Sequence, residues 1–306
     1  MVPISVIICT YNPDNRIFSE CINCLIAADK IYQATEILII DNNSNPAIKD
    51  REIVNDFMQQ NERVKLVVEA KQGLTSARLR AIQEAQGEIL VFVDDDNFLD
   101  ELYLKKTAEI AEEYPFIGAY SGQVNLVYEK EPPQWTHKYW GMLVHRTFKR
   151  DRWGNTLFNN DIMPNGAGMC VRSKVAKYYL DLHDSGKRSF QLDRSRNSLM
   201  SGGDNDLAMS ACDVGLGMGL FERLYLKHFI PNSRFTLDYL STLAYGIYYS
   251  SSILQFMRNG QPESISRKRA FVQKIKSIFM SKEDATIDRA LRKGLKDADA
   301  YVANLK

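Results

Sequence analysis

Apolar runs alternate with stretches of helical spacing through the first 115 residues of the chain. The runs are rich in Ile, Val and Leu, and they are apolar throughout rather than at every second position. Such runs are typical of strands buried on both faces of a sheet, and the helices between them are typical of the crossovers that join parallel strands. The pattern therefore predicts a doubly wound α/β fold, in which a mostly parallel, Rossmann-like sheet is flanked by helices. Strands are predicted at 4–9, 36–41, 64–69 and 88–94, and helices at 16–28, 47–60, 74–86 and 100–113.

Beyond residue 115 the apolar pattern becomes irregular. Residues 129–165 contain all three tryptophans, and residues 165–173 form a glycine-rich segment that leads into a predicted helix at 174–182. From about residue 237 onward the spacing again predicts helices. We therefore predict an α/β domain over 1–236 and a helical C-terminal extension over 237–306.

The composition is that of an ordinary folded protein. Apolar residues make up 45% of the 306-residue chain and charged residues 25%, so we do not expect disorder. The 39 Lys and Arg residues nearly balance the 38 Asp and Glu residues, and a net charge of +1 gives no overall signature of nucleic-acid binding. Of the five cysteines, Cys21 and Cys24 form a CxxC without a second pair or a nearby His, which favours reduced thiols in a reducing cytosol.

Two C-terminal segments bear on contact with membranes. Residues 239–257 carry no formal charge over 19 positions, but their Ser, Thr and Tyr content favours a buried or interfacial helix over a membrane span. In residues 267–276, basic residues are interleaved with apolar ones. That pattern is typical either of a helix docked on the protein with its Lys face solvated or of a helix on an anionic membrane surface. Because the N-terminal apolar run lacks the basic leader of a signal peptide, we expect a cytoplasmic protein.

Polar side chains follow three of the predicted strands at the points where the strands end. Tyr11 follows the first strand, Asp41 ends the second, and Asp94 to Asp96 close the fourth. Doubly wound sheets bind their ligands in the crevice at the carboxyl ends of the strands. We therefore expect these three strand ends to converge on one crevice.

The acidic cluster at Asp94, Asp95 and Asp96 is the strongest candidate for chemistry. Three adjacent carboxylates after an apolar strand repel one another unless a cation or hydrogen-bond donors compensate. One interpretation is a solvated turn or the start of a helix, since Asp favours both. The other is a site for Mg²⁺ or Mn²⁺, which prefer oxygen ligands and bridge proteins to substrate phosphates.

Five short motifs, taken together, resemble a known family. They occur in the order found in family 2 inverting glycosyltransferases of the GT-A fold, and the resemblance covers roughly residues 3–230 by element order. The motifs are SVIICTYN (5–12), IIDNNS (39–44), GLTSARLRAI (73–82), FVDDDN (92–97) and GGDNDL (202–207). The resemblance implies a nucleotide-binding half over 1–115 and an acceptor half over 116–236.

The resemblance implies how the nucleotide base is held. The loop at Thr10, Tyr11 and Asn12 resembles the family's base-binding loop, and Tyr11 is available for stacking. Asp41 resembles the carboxylate that receives a base N–H, which is the usual partner of a uracil.

The resemblance also implies contacts to the rest of the donor. Arg78 resembles the arginine that reaches the nucleotide, although Leu79 stands where family members often have Asn. In FVDDDN, Asp95 would face the ribose, Asp96 would ligate the metal, and Asp94 would occupy the preceding position.

Asp204, in GGDNDL, matches the position of the family's catalytic base. Inverting transfer needs one carboxylate to take the proton of the acceptor hydroxyl as that hydroxyl attacks the anomeric carbon. Asp206 is the nearest competitor, and helix N-capping is the structural alternative for both residues. His228 fits by order as a further metal ligand, with a hydrogen-bonded core histidine as the alternative. Residues 165–173 resemble the family's segment beneath the sugars, and Trp135, Trp140 and Trp153 are either stacking surfaces for an acceptor or packing anchors.

The predicted function is transfer of a sugar from a nucleoside-diphosphate donor, with UDP-sugars expected, to a glycan or lipid-linked glycan acceptor. The expected cofactor is Mn²⁺ or Mg²⁺. The expected setting is assembly of bacterial-type surface polysaccharide or glycoconjugate in the cytoplasm, at the inner face of the membrane if the C-terminal helices touch it. The alternatives are a Mg²⁺-dependent nucleotidyltransferase, which the TYNPDN sequence after strand one disfavours, and a non-catalytic nucleotide-sugar-binding scaffold.

Overall fold

The computed structural model describes residues 1–188, 200–262 and 280–304. Within these ranges nine strands form a single sheet. The strands are β1 (Ile4–Thr10), β2 (Glu36–Asp41), β3 (Val64–Val68), β4 (Ile89–Asp94), β5 (Asn97–Leu99), β6 (Ile117–Tyr128), β7 (Arg152–Gly154), β8 (Met169–Arg172) and β9 (Gly217–Ile230). The α-helices are α1 (Asn15–Ile31), α2 (Glu52–Gln60), α3 (Leu74–Glu84), α4 (Tyr103–Glu113), α5 (Ser173–Asp184), α6 (Gly203–Asp213), α7 (Leu237–Asn259) and α8 (Lys282–Ala303).

The first half of the sheet is parallel, as the apolar runs predict. The strand order is β3-β2-β1-β4-β8-β6-β9-β5, and β1 lies parallel to both β2 and β4. All residues of β1 and β2 are buried, because helices cover the sheet on both faces. The register pairs Thr10 with Asp41 and Cys9 with Asp94, so the three strands end at one edge. The predicted convergence of these strand ends is confirmed.

The second half of the sheet is antiparallel in most of its pairings and was not predicted. β8 runs antiparallel to β4 and to β6, while β5 and β7 both run antiparallel to β9. The glycine-rich segment 165–173 contains β8, which begins at Met169, and the helix predicted after it at 174–182 lies within α5. β6 and β9 mix buried positions with half-exposed ones, and both carry polar residues, so neither produces a continuous apolar run.

Each helix of the first half buries one apolar face. In α1 the side chain of Asp14 caps the N-terminus by accepting a hydrogen bond from the backbone N–H of Ile17, and the buried face includes Phe18, Ile22 and Leu25. Complete burial of each such side chain contributes about 1.5–3 kcal/mol to the free energy of unfolding. The predicted α/β class, with helices on a mostly parallel sheet and helices at the C-terminus, is confirmed.

The chain divides into two compact units. Of the described residues, the first consists of 1–127, 143–188 and 204–230, and it contains most of the sheet. The second consists of 128–142, 200–203, 231–262 and 280–304. In the second unit α7 packs along α8, and Gly294 allows the two helices to approach closely, because a methyl group there would lie 2.5 Å from the carbonyl oxygen of Tyr245. The domain boundary at residue 236 stays a prediction.

The uncharged segment 239–257 is not observed as a membrane span. Among the described residues, no helix has both the length and the apolarity needed to cross a membrane, and residues 239–257 lie within α7. Most of α7 is half-buried or buried. The basic segment 267–276 lies outside the described residues.

Candidate active site

The acidic cluster forms the turn between two strands. β4 ends at Asp94 and β5 begins at Asn97, so Asp95 and Asp96 make the connection. The hydroxyl of Thr10, which is buried at the end of β1, donates a hydrogen bond to Oδ2 of Asp95. A charge-assisted hydrogen bond of this kind offsets part of the repulsion among the carboxylates and joins the turn to the neighbouring strand.

Asp96 and His228 face each other across the β5–β9 pairing. The register places Asn97 opposite His228, and this brings Nε2 of the imidazole 3.4 Å from Oδ1 of Asp96. Nδ1 of His228 lies 3.1 Å from the carbonyl oxygen of Leu143. A carbonyl only accepts, so Nδ1 carries a hydrogen, and an Nε2 without a hydrogen would turn its lone pair toward a carboxylate. Two facing acceptors need either a proton or a cation between them.

This pair fits a divalent cation. Metal-binding histidines generally donate their other ring N–H to a carbonyl or carboxylate, as Nδ1 does here. Two ligands at about 2.1 Å from an octahedral ion lie about 3 Å apart, which is close to the observed separation of 3.4 Å. Within the described ranges no group of three or more His, Cys, Asp or Glu side chains is placed to hold a metal. Substrate and water would therefore have to supply the remaining ligands.

The base-binding loop predicted after β1 is held by the loop after β2. The backbone N–H of Asn12 donates to Oγ of Ser44 at 2.9 Å, and Oδ1 of Asn12 accepts from the N–H of Asn45 at 2.8 Å. Asn12 adopts a left-handed conformation (φ 48°), which Asn tolerates better than most residues. Tyr11, which is 42% exposed, therefore sits on a fixed backbone with part of its ring open to solvent.

Asp41 stabilises the loop that follows β2. Its side chain is only 2% exposed, and its two oxygens accept hydrogen bonds from the backbone N–H groups of Ser44 (2.8 Å) and Ile48 (3.3 Å). A carboxylate has further lone pairs, so these bonds leave acceptor capacity. Recognition of a nucleotide base by Asp41 stays a prediction.

Arg78, Gly166 and Asp204 come together beside the end of β4. β8 runs antiparallel to β4 with Met169 opposite Phe92, so the residues just before β8 lie next to the acidic turn. Oδ2 of Asp204 accepts the backbone N–H of Gly166 at 3.0 Å. A methyl group on Gly166 would lie 2.9 Å from this oxygen and 3.0 Å from Nη2 of Arg78.

The absence of a side chain at residue 166 therefore leaves room for both groups. It allows a carboxylate and a buried guanidinium to approach the same backbone segment. The sequence pattern marked 165–173 as glycine-rich but gave no sign that Gly166 touches Asp204. Leu143 was likewise not foreseen, because its contribution is a backbone carbonyl that any residue could provide.

Asp204 and Asp206 have different environments although both lie in the first turn of α6. Asp204 is half-exposed, and Oδ1 accepts the N–H of Asn205 at 2.9 Å. Asp206 is 1% exposed, and its Oδ2 accepts the Nε–H of Arg188 at 2.8 Å. Of these two carboxylates, Asp204 is the one that a substrate can reach.

Cys21 lies beneath the acidic turn and is a structural thiol. Its Sγ is 3.6 Å from the carbonyl oxygen of Asp94. Burial raises the pKa of Cys21 well above its usual range, and the negative charges of Asp95 and Asp96 raise it further. The thiol therefore stays protonated. Burial also raises the pKa of Cys24, and that the CxxC is a pair of reduced thiols stays a prediction.

Each of the three tryptophans packs against an aromatic ring of its own unit. Trp135 packs against Tyr139, and Trp140 packs against Tyr128 and Phe235, all in the second unit. Trp153 contacts Tyr114 in the first unit. These contacts are those of packing anchors, and an acceptor-binding role for any of the three stays a prediction.

The fold and the acidic edge of the sheet define a GT-A-type α/β protein. The sequence pattern described as Glycosyl transferase family 2 matches residues 5–178, which is more than half of the chain. The chain belongs to glycosyl transferase family 2.

Curated relatives match about a third of the chain. An uncharacterized glycosyltransferase of Haemophilus influenzae is 33% identical over 104 residues, which cover 34% of this chain and 40% of that protein. The uncharacterized glycosyltransferase EpsJ of Bacillus subtilis is 31% identical over 114 residues, which cover 37% of this chain and 32% of that protein. The matched segment spans less than half the length of each of these relatives.

Solved structures share the fold across almost the whole chain. TarS 1-349 from S. aureus has a TM-score of 0.52 at 17% identity, covering 97% of this chain and 89% of that one. The mannosyltransferase PcManGT from Pyrobaculum calidifontis, in complex with GDP-Man and Mn²⁺, has a TM-score of 0.56 at 15% identity. That match covers 100% of this chain and 76% of the mannosyltransferase chain.

Proposed function

We propose that this protein transfers a sugar from a nucleoside-diphosphate donor to a hydroxyl group of an acceptor, with inversion at the anomeric carbon. The observation that carries the proposal is the placement of Asp204, held by the N–H of Gly166, at the same sheet edge as Asp96 and His228. A reachable carboxylate and a cation-binding pair are the two groups that such a transfer needs.

Asp96 and His228 are the residues that would hold Mn²⁺ or Mg²⁺. When bound, the ion supplies positive charge that stabilises the diphosphate as a leaving group. The mannosyltransferase neighbour and GalNAc-T7, another solved structure with this fold, were both crystallised with Mn²⁺, which supports a divalent cofactor here. The Nδ1–H bond to Leu143 keeps the ring in the tautomer and orientation that this role requires.

Asp204 is the general base in the proposed reaction. Its carboxylate takes the proton of the acceptor hydroxyl while the hydroxyl oxygen forms a bond to the anomeric carbon. The bond between that carbon and the diphosphate oxygen breaks on the opposite face, and its electron pair leaves with the nucleoside diphosphate. Attack opposite the leaving group is what produces inversion. Asp206 is set aside as base because its carboxylate is buried against Arg188.

The donor is held from the ends of the parallel strands in this proposal. Tyr11 stacks on the base, and Asp41 accepts a base N–H, which favours uridine. Arg78 contacts the nucleotide in this proposal. Its guanidinium and the carboxylate of Asp204 both lie next to Gly166, so Arg78 would hold the donor close to the general base. Thr10, Asn12, Asp94 and Asp95 complete the donor-binding set.

We propose a glycan or lipid-linked glycan acceptor and a cytoplasmic setting, in which surface polysaccharide or glycoconjugate is assembled and the C-terminal helices are the segment that would contact a membrane. The five free thiols support a reducing compartment.

A ligand-induced thermal shift tests the donor half directly. UDP-GlcNAc and GDP-Man, the donors bound in two of the fold neighbours, are compared with and without Mn²⁺. A donor that binds the folded state raises the melting temperature in proportion to the logarithm of its concentration over Kd. We expect the UDP-sugar to give the larger shift and to need Mn²⁺. Equal melting temperatures with and without every nucleotide would contradict the proposal.

A further inference from the structure

The buried ion pair between Arg188 and Asp206 has no role in the proposed chemistry. Asp206 nevertheless lies in the same helical turn as Asp204, the proposed general base. Nε of Arg188 is 2.8 Å from Oδ2 of Asp206, and the two side chains are 11% and 1% exposed. Two charges are removed from water here, and replacing such a pair by apolar residues of similar volume is often neutral or stabilising, so the pair by itself is weak evidence of a contribution to stability.

The backbone of Arg188 is hydrogen-bonded to α5, whereas Asp206 belongs to α6. After α5 ends, Gly186 adopts a left-handed conformation (φ 72°), and the backbone N–H of Arg188 donates to the carbonyl oxygen of Leu182 at 3.1 Å. α5 packs on α3, the helix that carries Arg78. The Arg188 side chain therefore connects the first turn of α6 to the part of the fold that positions Arg78.

The rotation of this first turn decides where Asp204 points. Successive residues of an α-helix are about 100° apart, so residues two apart face nearly opposite directions. Asp206 turns inward to Arg188, and Asp204 turns toward Gly166. At a radius of about 6 Å, a helix rotation of about 10° moves a side-chain end by about 1 Å. An error of that size in a reacting group costs about 100-fold in rate.

We propose that Arg188 is a positioning residue, which fixes the rotation of the first turn of α6 through Asp206 and so keeps Asp204 against Gly166. The inference rests on the proposed role of Asp204 as the base. Its structural part, however, is independent of catalysis, because the hydrogen bond from Gly166 to Asp204 reports the position of the carboxylate without any substrate.

Hydrogen exchange of the Gly166 amide, followed by NMR, is the first test. Arg188→Ala should speed this exchange at least 10-fold. Asp204→Ala removes the carboxylate that accepts the Gly166 N–H, so its exchange rate is the upper limit expected for Arg188→Ala. Arg63→Ala is the matched control, since Arg63 also pairs with a largely buried carboxylate, Asp29 of α1, at 2.6 Å, and neither residue belongs to α5 or α6. Unchanged Gly166 exchange in Arg188→Ala would overturn the inference.

Measurements of kcat and of UDP affinity distinguish a positioning role of Arg188 from a contribution to stability alone. Both Arg188→Ala and Arg63→Ala should lower the melting temperature, but only Arg188→Ala should lower kcat, by about 10- to 100-fold, with the Kd for UDP in Mn²⁺ within 2-fold of the parent. Arg188→Lys keeps the charge and should recover part of the rate; it also replaces Arg188→Ala if that variant does not fold. A kcat that falls equally in the Arg188 and Arg63 variants would contradict the inference. If Asp204→Asn instead keeps full turnover, the proposed base is wrong, while the exchange result still judges the positioning.

Discussion

The parallel and antiparallel halves of the sheet bring residues to the site in different ways. In the parallel half, β2, β1 and β4 lie side by side, so Asp41, Thr10 and Asp94 end at one edge through strand order alone. In the antiparallel half, His228 reaches Asp96 through its register with β5, and Gly166 reaches Asp204 through the path of the chain into β8.

In the proposed function, the two halves of the sheet contribute differently to donor binding and to the transfer reaction. The residues proposed to hold the nucleotide come mainly from the parallel half, whereas the proposed base and the histidine of the cation pair depend on pairings made by the second half of the chain. Changes in the second half should therefore act mainly on kcat or on the use of metal, and changes in the first half on donor affinity or stability.

Asp204→Asn should produce the largest effect. The amide has nearly the same shape and can still accept the N–H of Gly166, but it cannot take a proton. We expect kcat to fall by about 10²- to 10⁴-fold, measured as release of nucleoside diphosphate from the donor selected by thermal shift. Donor affinity, measured by calorimetry, should not change. Near-normal turnover would eliminate Asp204 as the base.

His228→Gln should come next in size. Gln removes the imidazole lone pair that faces Asp96 and leaves a polar side chain of similar length. The Kd for UDP in Mn²⁺ should rise by more than the 10- to 100-fold that loss of an outer-shell partner typically causes. Asp96→Ala should give the same loss, and neither variant should change the weak UDP binding measured in EDTA. Parent-like Mn²⁺ dependence in both variants would exclude this pair as the metal site.

Gly166→Ala should reduce kcat by about 100-fold with little loss of stability. The added methyl would lie 2.9 Å from Oδ2 of Asp204 and 3.0 Å from Nη2 of Arg78, and both are ends of side chains that can move aside. A displacement of about 1 Å is enough for the rate loss. Gly141→Ala is the matched control, since a methyl there meets nothing within 4 Å. If the two variants have equal kcat, the close approach at Gly166 is irrelevant to catalysis.

Asp41→Asn should have the smallest effect on turnover and should act mainly on stability. Its side-chain NH₂ would replace an oxygen that accepts a backbone N–H, leaving a buried donor without a partner at a cost of about 1–3 kcal/mol in the free energy of unfolding. Urea unfolding measures this loss, with the exposed Asp56→Asn as control. If folded Asp41→Asn loses affinity for UDP, the predicted contact between Asp41 and the uracil base is supported. Unchanged affinity would contradict that contact.

The sequence alone was sufficient for the parallel half. Continuous apolar runs identified β1 to β4, and the acidic residues after them identified the edge at which a ligand would bind, because in such sheets the position of a strand end follows from local sequence and strand order. The later strands were missed. β6 and β9 mix buried and half-exposed positions, and β5 and β7 are each three residues long.

The tertiary structure decided which residues contact one another. The sequence could not say that the Leu143 carbonyl contacts His228, that Gly166 contacts Asp204, or that Arg188 pairs with Asp206 while Asp204 stays half-exposed. The physical reason is that these contacts join residues 18 to 85 positions apart through register and close packing. Neither register nor packing leaves a periodic signal in the local sequence.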